Sequence, residues 1–313
     1  MNIRTKIINK LISILMAGWS QGSIAEQRAK QEKKTKFARL PTGIQCQSLN
    51  VDGVSAEWIT VPDTDQGVIL YLHGGAYALG SINVHRQFIA RLAIATNIRC
   101  LGLNYRLAPE HPFPAALEDT LTAYHWLLSQ GLHPSQIIIA GDSAGGGLAL
   151  AAMLSLRNSA AQLPAGAVCL SPWTDLALTG PSIQGNAKVD PILDLDSLHI
   201  YAKYYAAQNE ITNPLISPLY ADLHGLPPLL IQVGGNEILL DDAVRLHKNA
   251  LNDGVNATLK IWHHMFHVFQ MISFLPETKE ALQSITEFVI DNLKTHNNPL
   301  PVADKIISFP QSE

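Results

Sequence analysis

The sequence predicts an α/β protein: a mostly parallel central sheet flanked by helices, with a helical cap drawn from the N-terminus and from an insertion near residues 175–215. Three observations carry that expectation. Short, β-branched apolar runs alternate with longer stretches of helical periodicity from residue 50 onward, the pattern of a sheet covered on both faces. Two of those runs end directly in glycine-rich turns, His73-Gly74-Gly75 and Gly141-Asp142-Ser143-Ala144-Gly145. The chain has 313 residues, 47% hydrophobic and 15% charged, enough for one large core, and it shows neither internal repeats nor low-complexity tracts.

Taken in order, strands are expected at 56–61, 68–72, 100–104, 137–140, 167–170, 229–233 and 258–262. Helices are expected at 85–96, 115–129, 144–157, 196–208, 240–252 and 277–294. Residues 1–45 and 175–215 break the repeating unit, which divides the chain into an N-terminal cap segment (1–45), a catalytic part (46–174 with 216–296), a cap insertion (175–215) and a tail (297–313). The insertion helix carries Leu198, Tyr201, Tyr204 and Tyr205 and needs an apolar surface to cover them, which the N-terminal segment could offer.

At the N-terminus, Ile3, Ile7, Ile8, Leu11, Ile12, Leu15 and Met16 recur at helical spacing between polar residues, which describes one apolar face. A retained amphipathic helix and a cytoplasmic protein are expected. The alternative is an exported protein cleaved after Ser23-Ile24-Ala25 and beginning at Glu26. No stretch approaches 18 consecutive apolar residues, so no spanning helix is expected.

The net charge of -4 is uneven: residues 1–39 hold nine Lys and Arg against two Glu, and the remainder is acidic. An acidic body argues against nucleic acid as a partner, and the basic leader reads as a solvated helix face before it reads as a membrane contact. Cys46, Cys100 and Cys169 are too few and scattered for a disulfide framework. Cys100 and Cys169 lie in apolar runs and read as buried thiols.

The chemistry centres on Ser143. A strand, a Gly-x-Ser-x-Gly turn and a small-residue helix start follow in direct succession. Gly141 and Gly145 are required where the tight turn leaves no room for a Cβ. The amide of Ala144, at the helix start, lacks an intrahelical partner and can face an oxyanion. Upstream, the strand ending at Leu72 runs into His73-Gly74-Gly75-Ala76-Tyr77, whose small residues let backbone amides approach the same oxygen. The expected oxyanion hole is made of Gly75, Ala76 and Ala144, with Gly74 included beside them. His73 reads as a brace for that loop, in preference to a base or metal ligand.

A base for such a serine should follow the last strand, where His263, His264 and His267 compete. His267, just before a helical stretch, fits best. A zinc site built from the three histidines is disfavoured, because no Glu or Cys accompanies them at ligand spacing. The acid should follow the preceding strand. Glu237 falls in the loop itself, while Asp241 and Asp242 lie in the first helical turn, where acidic residues serve the helix dipole.

With these residues in place the chain resembles the bacterial relatives of hormone-sensitive lipase, carboxylesterases of the α/β-hydrolase superfamily. The resemblance rests on His73-Gly74-Gly75, on Gly141-Asp142-Ser143-Ala144-Gly145-Gly146, and on Tyr105-Arg106-Leu107-Ala108-Pro109-Glu110-His111-Pro112-Phe113-Pro114-Ala115-Ala116. Shorter matches are Asp190-Pro191, Ser217-Pro218-Leu219 and Gly225-Leu226-Pro227-Pro228. It implies a two-part helical cap, no cofactor, small acyl ester substrates with short chains, and homodimers in many members. Two positions depart from the pattern: Ala76 stands where a third glycine is usual, and Glu237 where Asp followed by Pro-Leu is more common. Asp190-Pro191-Ile192-Leu193 mimics that acid motif, but it precedes the Leu229 strand and so belongs to the cap. Two rivals share the scaffold: an amidase or N-acetyl hydrolase, and a non-catalytic ligand receptor, which the retained histidine disfavours. The acyl and alcohol preferences are not encoded in any motif.

Overall fold

A computed structural model describes residues 10–12, 21–35, 39–62, 64 and 67–293. One sheet of eight strands organises the chain: β1 (Gln45–Val51), β2 (Val54–Thr60), β3 (Val68–Leu72), β4 (Arg99–Asn104), β5 (Ile137–Asp142), β6 (Gly166–Leu170), β7 (Leu229–Gly234) and β8 (Ala257–Trp262). Their spatial order is β1-β2-β4-β3-β5-β6-β7-β8. The β1–β2 and β2–β4 pairs are antiparallel, and every other pair is parallel.

The helices are α1 (Ile24–Thr35), α2 (Ile82–Thr96), α3 (Ala115–Ser129), α4 (Ala144–Asn158), the single turn α5 (Ser182–Gly185), α6 (Leu195–Ala206), α7 (Leu240–Asn252) and α8 (Pro276–Asn292). The strand period of two sorts side chains between layers. Leu70, Leu72, Ile139 and Ile231 face a core shared with Leu117 of α3, Leu148 of α4 and Leu246 of α7. Ile69, Tyr71, Ile138 and Leu230 face the other, shared with Phe88 and Ile89 of α2 and Ile285 of α8. Each fully buried side chain of this size contributes about 1.5–3 kcal/mol, so the central strands, buried along their whole length, anchor the loops at their ends.

Parallel pairing in register brings the C-terminal ends of six strands to one edge: Leu72 lies opposite Leu103 and Gly141, Asp142 opposite Leu170, and Gly234 opposite Trp262. Strand order reverses at β3, whose neighbours are β4 and β5, and the crevice outside such a reversal is where ligands bind in open α/β sheets.

Two elements differ from expectation. Strand β1 was not foreseen, and it starts at Gln45, so the sheet reaches one residue into the segment assigned to the cap. Its signal is a hairpin: Asp52-Gly53 joins β1 to β2 with both residues at positive φ, 48° and 99°, as a tight two-residue turn requires. Helix α1 also lacks a sequence signature, because IAEQRAKQEKKT has no apolar stripe. The amphipathic helix expected around residues 3–16 lies mostly outside the described residues. Of it, 10–12 are helical, and Ile12 packs with Met265, Phe266 and Phe269. The 297–313 tail also lies outside the described residues.

Candidate active site

Ser143 sits between β5 and α4 with φ 53° and ψ −120°, a conformation that a non-glycine residue adopts only when its surroundings hold it there. Its amide donates to the Leu170 carbonyl at 2.8 Å, and its carbonyl accepts from Trp173 at 2.9 Å. The flanking glycines are explained by contact: a Cβ on Gly141 would lie 2.3 Å from the Gly145 carbonyl oxygen, and one on Gly145 would lie 2.0 Å from that of Leu72. The sharp turn brings α4 against β3, and only hydrogen fits between them.

The loop after β3 is held from below. Oδ1 of Asp142 accepts from the Tyr71 hydroxyl at 2.7 Å and from the Gly74 amide at 2.9 Å. This corrects one expectation, since the Gly74 amide is committed to a buried carboxylate and is not available to an oxyanion. Gly75 and Ala76 remain as the loop's candidate donors, and both border the same cavity as Ser143. Ala76 has φ 53°, which shows why a glycine would be at ease there. His73 Nδ1 lies 2.8 Å from the Gly74 carbonyl and its ring stacks on Tyr105, while the Tyr105 hydroxyl donates to the His73 carbonyl at 2.6 Å. Burial in this stack lowers the His73 pKa to about 3, so the ring is neutral and braces the loop.

Across the cavity, His267 follows β8 in the turn that ends at Val268, whose φ and ψ are left-handed at 49° and 42°. Its Nδ1 is 2.6 Å from Oε2 of Glu237, which lies in the loop after β7 and is fully buried. The other carboxylate oxygen of Glu237 accepts from Ser171 Oγ at 2.8 Å and from the Gly234 amide at 2.6 Å. Because a carboxylate has no proton to give, Nδ1 carries the hydrogen and Nε2 keeps its lone pair. Burial is the largest influence on the His267 pKa and lowers it. The Glu237 charge and hydrogen bond, with Asp190 and Asp142 nearby, outweigh burial and leave it above the ordinary imidazole value.

The competing residues point elsewhere. Asp241 accepts from the Ser182 amide, and Asp242 accepts from the amides of Thr174 and Asp175 at 2.8 Å each, so both fasten the segment after β6 to α7. His263 and His264 are exposed. Among the described residues, no group of three or more His, Cys, Asp or Glu is placed to hold a metal ion, and no helix is long and apolar enough to cross a membrane. Asp190 receives the Ile192 and Leu193 amides on Oδ1 and the Ile238 amide on Oδ2, tying the segment between α5 and α6 to the Glu237 loop.

A cavity of about 460 Å³ opens between these parts, bordered by Ser143, Gly75, Ala76 and His267 below and by Ile12, Leu193, Leu198 and Tyr201 above. Helix α1 secures its roof through polar contacts. Arg28 donates to the carbonyls of Ala78 and Ala108 at 2.8 Å each and forks onto Glu110. Gln31 accepts from the Gly80 amide, and Gln27 accepts from the Tyr201 hydroxyl on α6. Helix α6 meets the loop after β3 directly, as Tyr205 stacks on Tyr77 with ring centroids 3.7 Å apart.

A family model described as the α/β hydrolase fold matches residues 69–271. An esterase of the bacterial hormone-sensitive lipase family has a crystal structure that superimposes with a TM-score of 0.89 at 44% identity, covering 94% of this chain and 99% of that one. The chain belongs to the hormone-sensitive-lipase-like carboxylesterases of the α/β hydrolases. An esterase of Acinetobacter venetianus is 40% identical over 254 residues, 80% of this chain and 84% of its own length. An acetyl-hydrolase of Streptomyces hygroscopicus is 45% identical over 242 residues, 77% of this chain and 81% of its own. This carboxylesterase is therefore a carboxylic ester hydrolase. The residues that sequence reasoning missed are Ser171, His85 and Arg28: none stands in a recognisable motif, and each is linked to the site only through the fold.

Proposed function

We propose that this esterase hydrolyses short-chain acyl esters through a Ser143–His267–Glu237 triad and an acyl-enzyme intermediate. The observation that carries the reading is the 2.6 Å contact of His267 Nδ1 with a buried Glu237, on the wall of the cavity that Ser143 and the Gly75-Ala76 loop also border. Ser143 Oγ attacks the ester carbonyl while His267 Nε2 takes its proton. The amides of Gly75, Ala76 and Ala144 receive the charge that develops on the carbonyl oxygen. His267 then returns the proton to the leaving alcohol, and a water repeats the sequence to release the acid. Glu237 holds the tautomer and offsets the imidazolium charge.

Helix α1, Ile12 and the segment 175–215 serve as the cap, since Gln31, Ile12, Leu193, Leu198 and Tyr201 border the cavity. The cavity is mainly apolar, which suits the acyl chain of an ester. The test is a p-nitrophenyl ester series of increasing acyl length on the wild-type enzyme, with Ser143→Ala and His267→Ala as controls. Activity should peak at short chains, and each control should lose about 10⁴–10⁶ in kcat because triad members act as a unit. Activity that rises with chain length, or that survives in Ser143→Ala, would refute the reading.

The acetyl-hydrolase relative favours one second reading, removal of an acetyl group from an amine. Rates on p-nitrophenyl acetate and on an acetylated amine, measured side by side, separate the two.

A further inference from the structure

Next to the nucleophile lies a second buried pair, His85 with Asp142, that exchanges no proton with the ester in the cycle above. His85 is carried on α2 and borders the cavity. Its Nδ1 is 2.9 Å from the Ser81 carbonyl oxygen and its Nε2 is 3.3 Å from Oδ2 of Asp142. A backbone carbonyl has no proton to give, so Nδ1 carries one. Asp142 already accepts two hydrogen bonds through Oδ1, from Tyr71 and Gly74, an environment that favours the carboxylate. A carboxylate facing Nε2 requires a proton there as well, which makes the ring an imidazolium.

The groups facing His85 agree with that charge. His73, from the loop after β3, is 5.4 Å away between ring centroids, and its neutral ring offers no competing cation. Tyr71 of β3 lies at 6.4 Å, where burial raises its pKa and keeps it uncharged. Lys34 of α1 and His267 border the same cavity, and Asp142 is the carboxylate in direct contact. Burial opposes charge on His85, yet the charge and hydrogen bond of Asp142 prevail and leave its pKa above the ordinary value.

We infer that His85 is a positioning residue for acyl transfer: its imidazolium anchors the Asp142 carboxylate, which holds the Gly74 amide and so fixes the loop that presents Gly75 and Ala76 to the oxyanion. The inference rests on the Ser143 reading given above. The contact has no slack, since a Cβ at Gly74 would lie 2.3 Å from Oδ2 of Asp142, so movement of the carboxylate becomes movement of the loop. Losing one oxyanion donor costs about 10²–10³ in kcat, and a loosened loop costs part of that. The sign follows from the raised pKa: the ion pair is intact at low and neutral pH and is lost as pH rises through the folded value, so kcat falls on the alkaline side.

The experiment compares kcat and KM of wild type, His85→Leu and His85→Gln from pH 5 to 10, together with ¹⁵N spectra of the imidazole rings in the wild-type protein, the His85 signal being assigned by its loss in His85→Gln. His85→Leu should lose about 10–100-fold in kcat with KM nearly unchanged. His85→Gln, whose amide donates at every pH, should recover most of that rate and lack the alkaline decline. At neutral pH both His85 nitrogens should show protonated shifts. Wild-type kcat in His85→Leu, an unchanged alkaline decline in His85→Gln, or one unprotonated nitrogen would overturn the inference. If His85→Leu does not fold, the spectrum of the intact protein decides. The spectrum is independent of turnover, whereas failure of the Ser143 reading would appear as wild-type activity that survives Ser143→Ala.

Discussion

Replacing Glu237 with glutamine is the sharpest perturbation of the site because the structure dictates how the amide must sit. One oxygen of Glu237 accepts from the Gly234 amide at 2.6 Å and from Ser171 Oγ at 2.8 Å. The Gly234 N–H cannot turn away, so the glutamine carbonyl must take that side and its NH₂ must face His267 Nδ1. Two donors cannot face each other, and Nδ1 then has to accept, which moves the ring proton to Nε2. The histidine would present a hydrogen where it must present a lone pair, a tautomer fault that costs about 10⁴ in kcat when a triad carboxylate becomes its amide. Losing the carboxylate also removes the main influence that holds the His267 pKa up, so the acid limb of the rate profile should move to lower pH. Steady-state hydrolysis of a short p-nitrophenyl ester from pH 5 to 9 measures both effects. Asp241→Asn and Asp242→Asn, whose side chains accept from the backbone amides of Ser182 and Thr174, should stay within about threefold of wild type. A Glu237→Gln enzyme that keeps more than a tenth of the wild-type rate would show that the carboxylate does not govern the tautomer.

Three further outcomes are expected. Gly74→Ala would drive a Cβ to 2.3 Å from Oδ2 of Asp142 and 2.9 Å from its backbone oxygen, displacing the donor loop and lowering kcat by about 10² or more with little change in KM, measured on the same ester. Arg28→Met would remove two hydrogen bonds to backbone carbonyls and the Glu110 fork, lowering unfolding free energy in a urea titration by about 1–3 kcal/mol. Burial pushes the Asp242 pKa up to about 8, so this carboxyl binds its proton more tightly folded than unfolded. Its stabilisation is greatest below the unfolded value, declines as pH rises and is gone above about 8, so Asp242→Asn should be more stabilising, relative to wild type, at pH 9 than at pH 5.

Much of the architecture could be read from the chain because apolar periodicity and turn chemistry are local. Val68–Leu72 and Ile137–Asp142 are buried throughout and declare themselves as strands. The Gly141–Gly145 turn declares itself because no other residue fits its contacts. Glu237 was separated from Asp241 and Asp242 by position, since α7 begins at Leu240. What was hidden depends on distant partners. Strand β1 is polar and largely exposed at a sheet edge, so only its Asp52-Gly53 turn marks it. Helix α1 owes its place to Arg28, Gln31 and Gln27 meeting residues about 50 to 170 positions away. The Gly74 amide is held by Asp142, 68 positions further along the chain and beside Ser143, a contact that only the fold creates.

The central claim is that Ser143 forms the covalent intermediate with His267 as its base. Incubation with a p-nitrophenyl alkylphosphonate, followed by peptide mass spectrometry, tests it most directly. The account predicts one phosphonyl group on the peptide containing Ser143, none in Ser143→Ala, and labelling slowed by several orders of magnitude in His267→Ala. A label on another residue, or undiminished labelling in either variant, would contradict it.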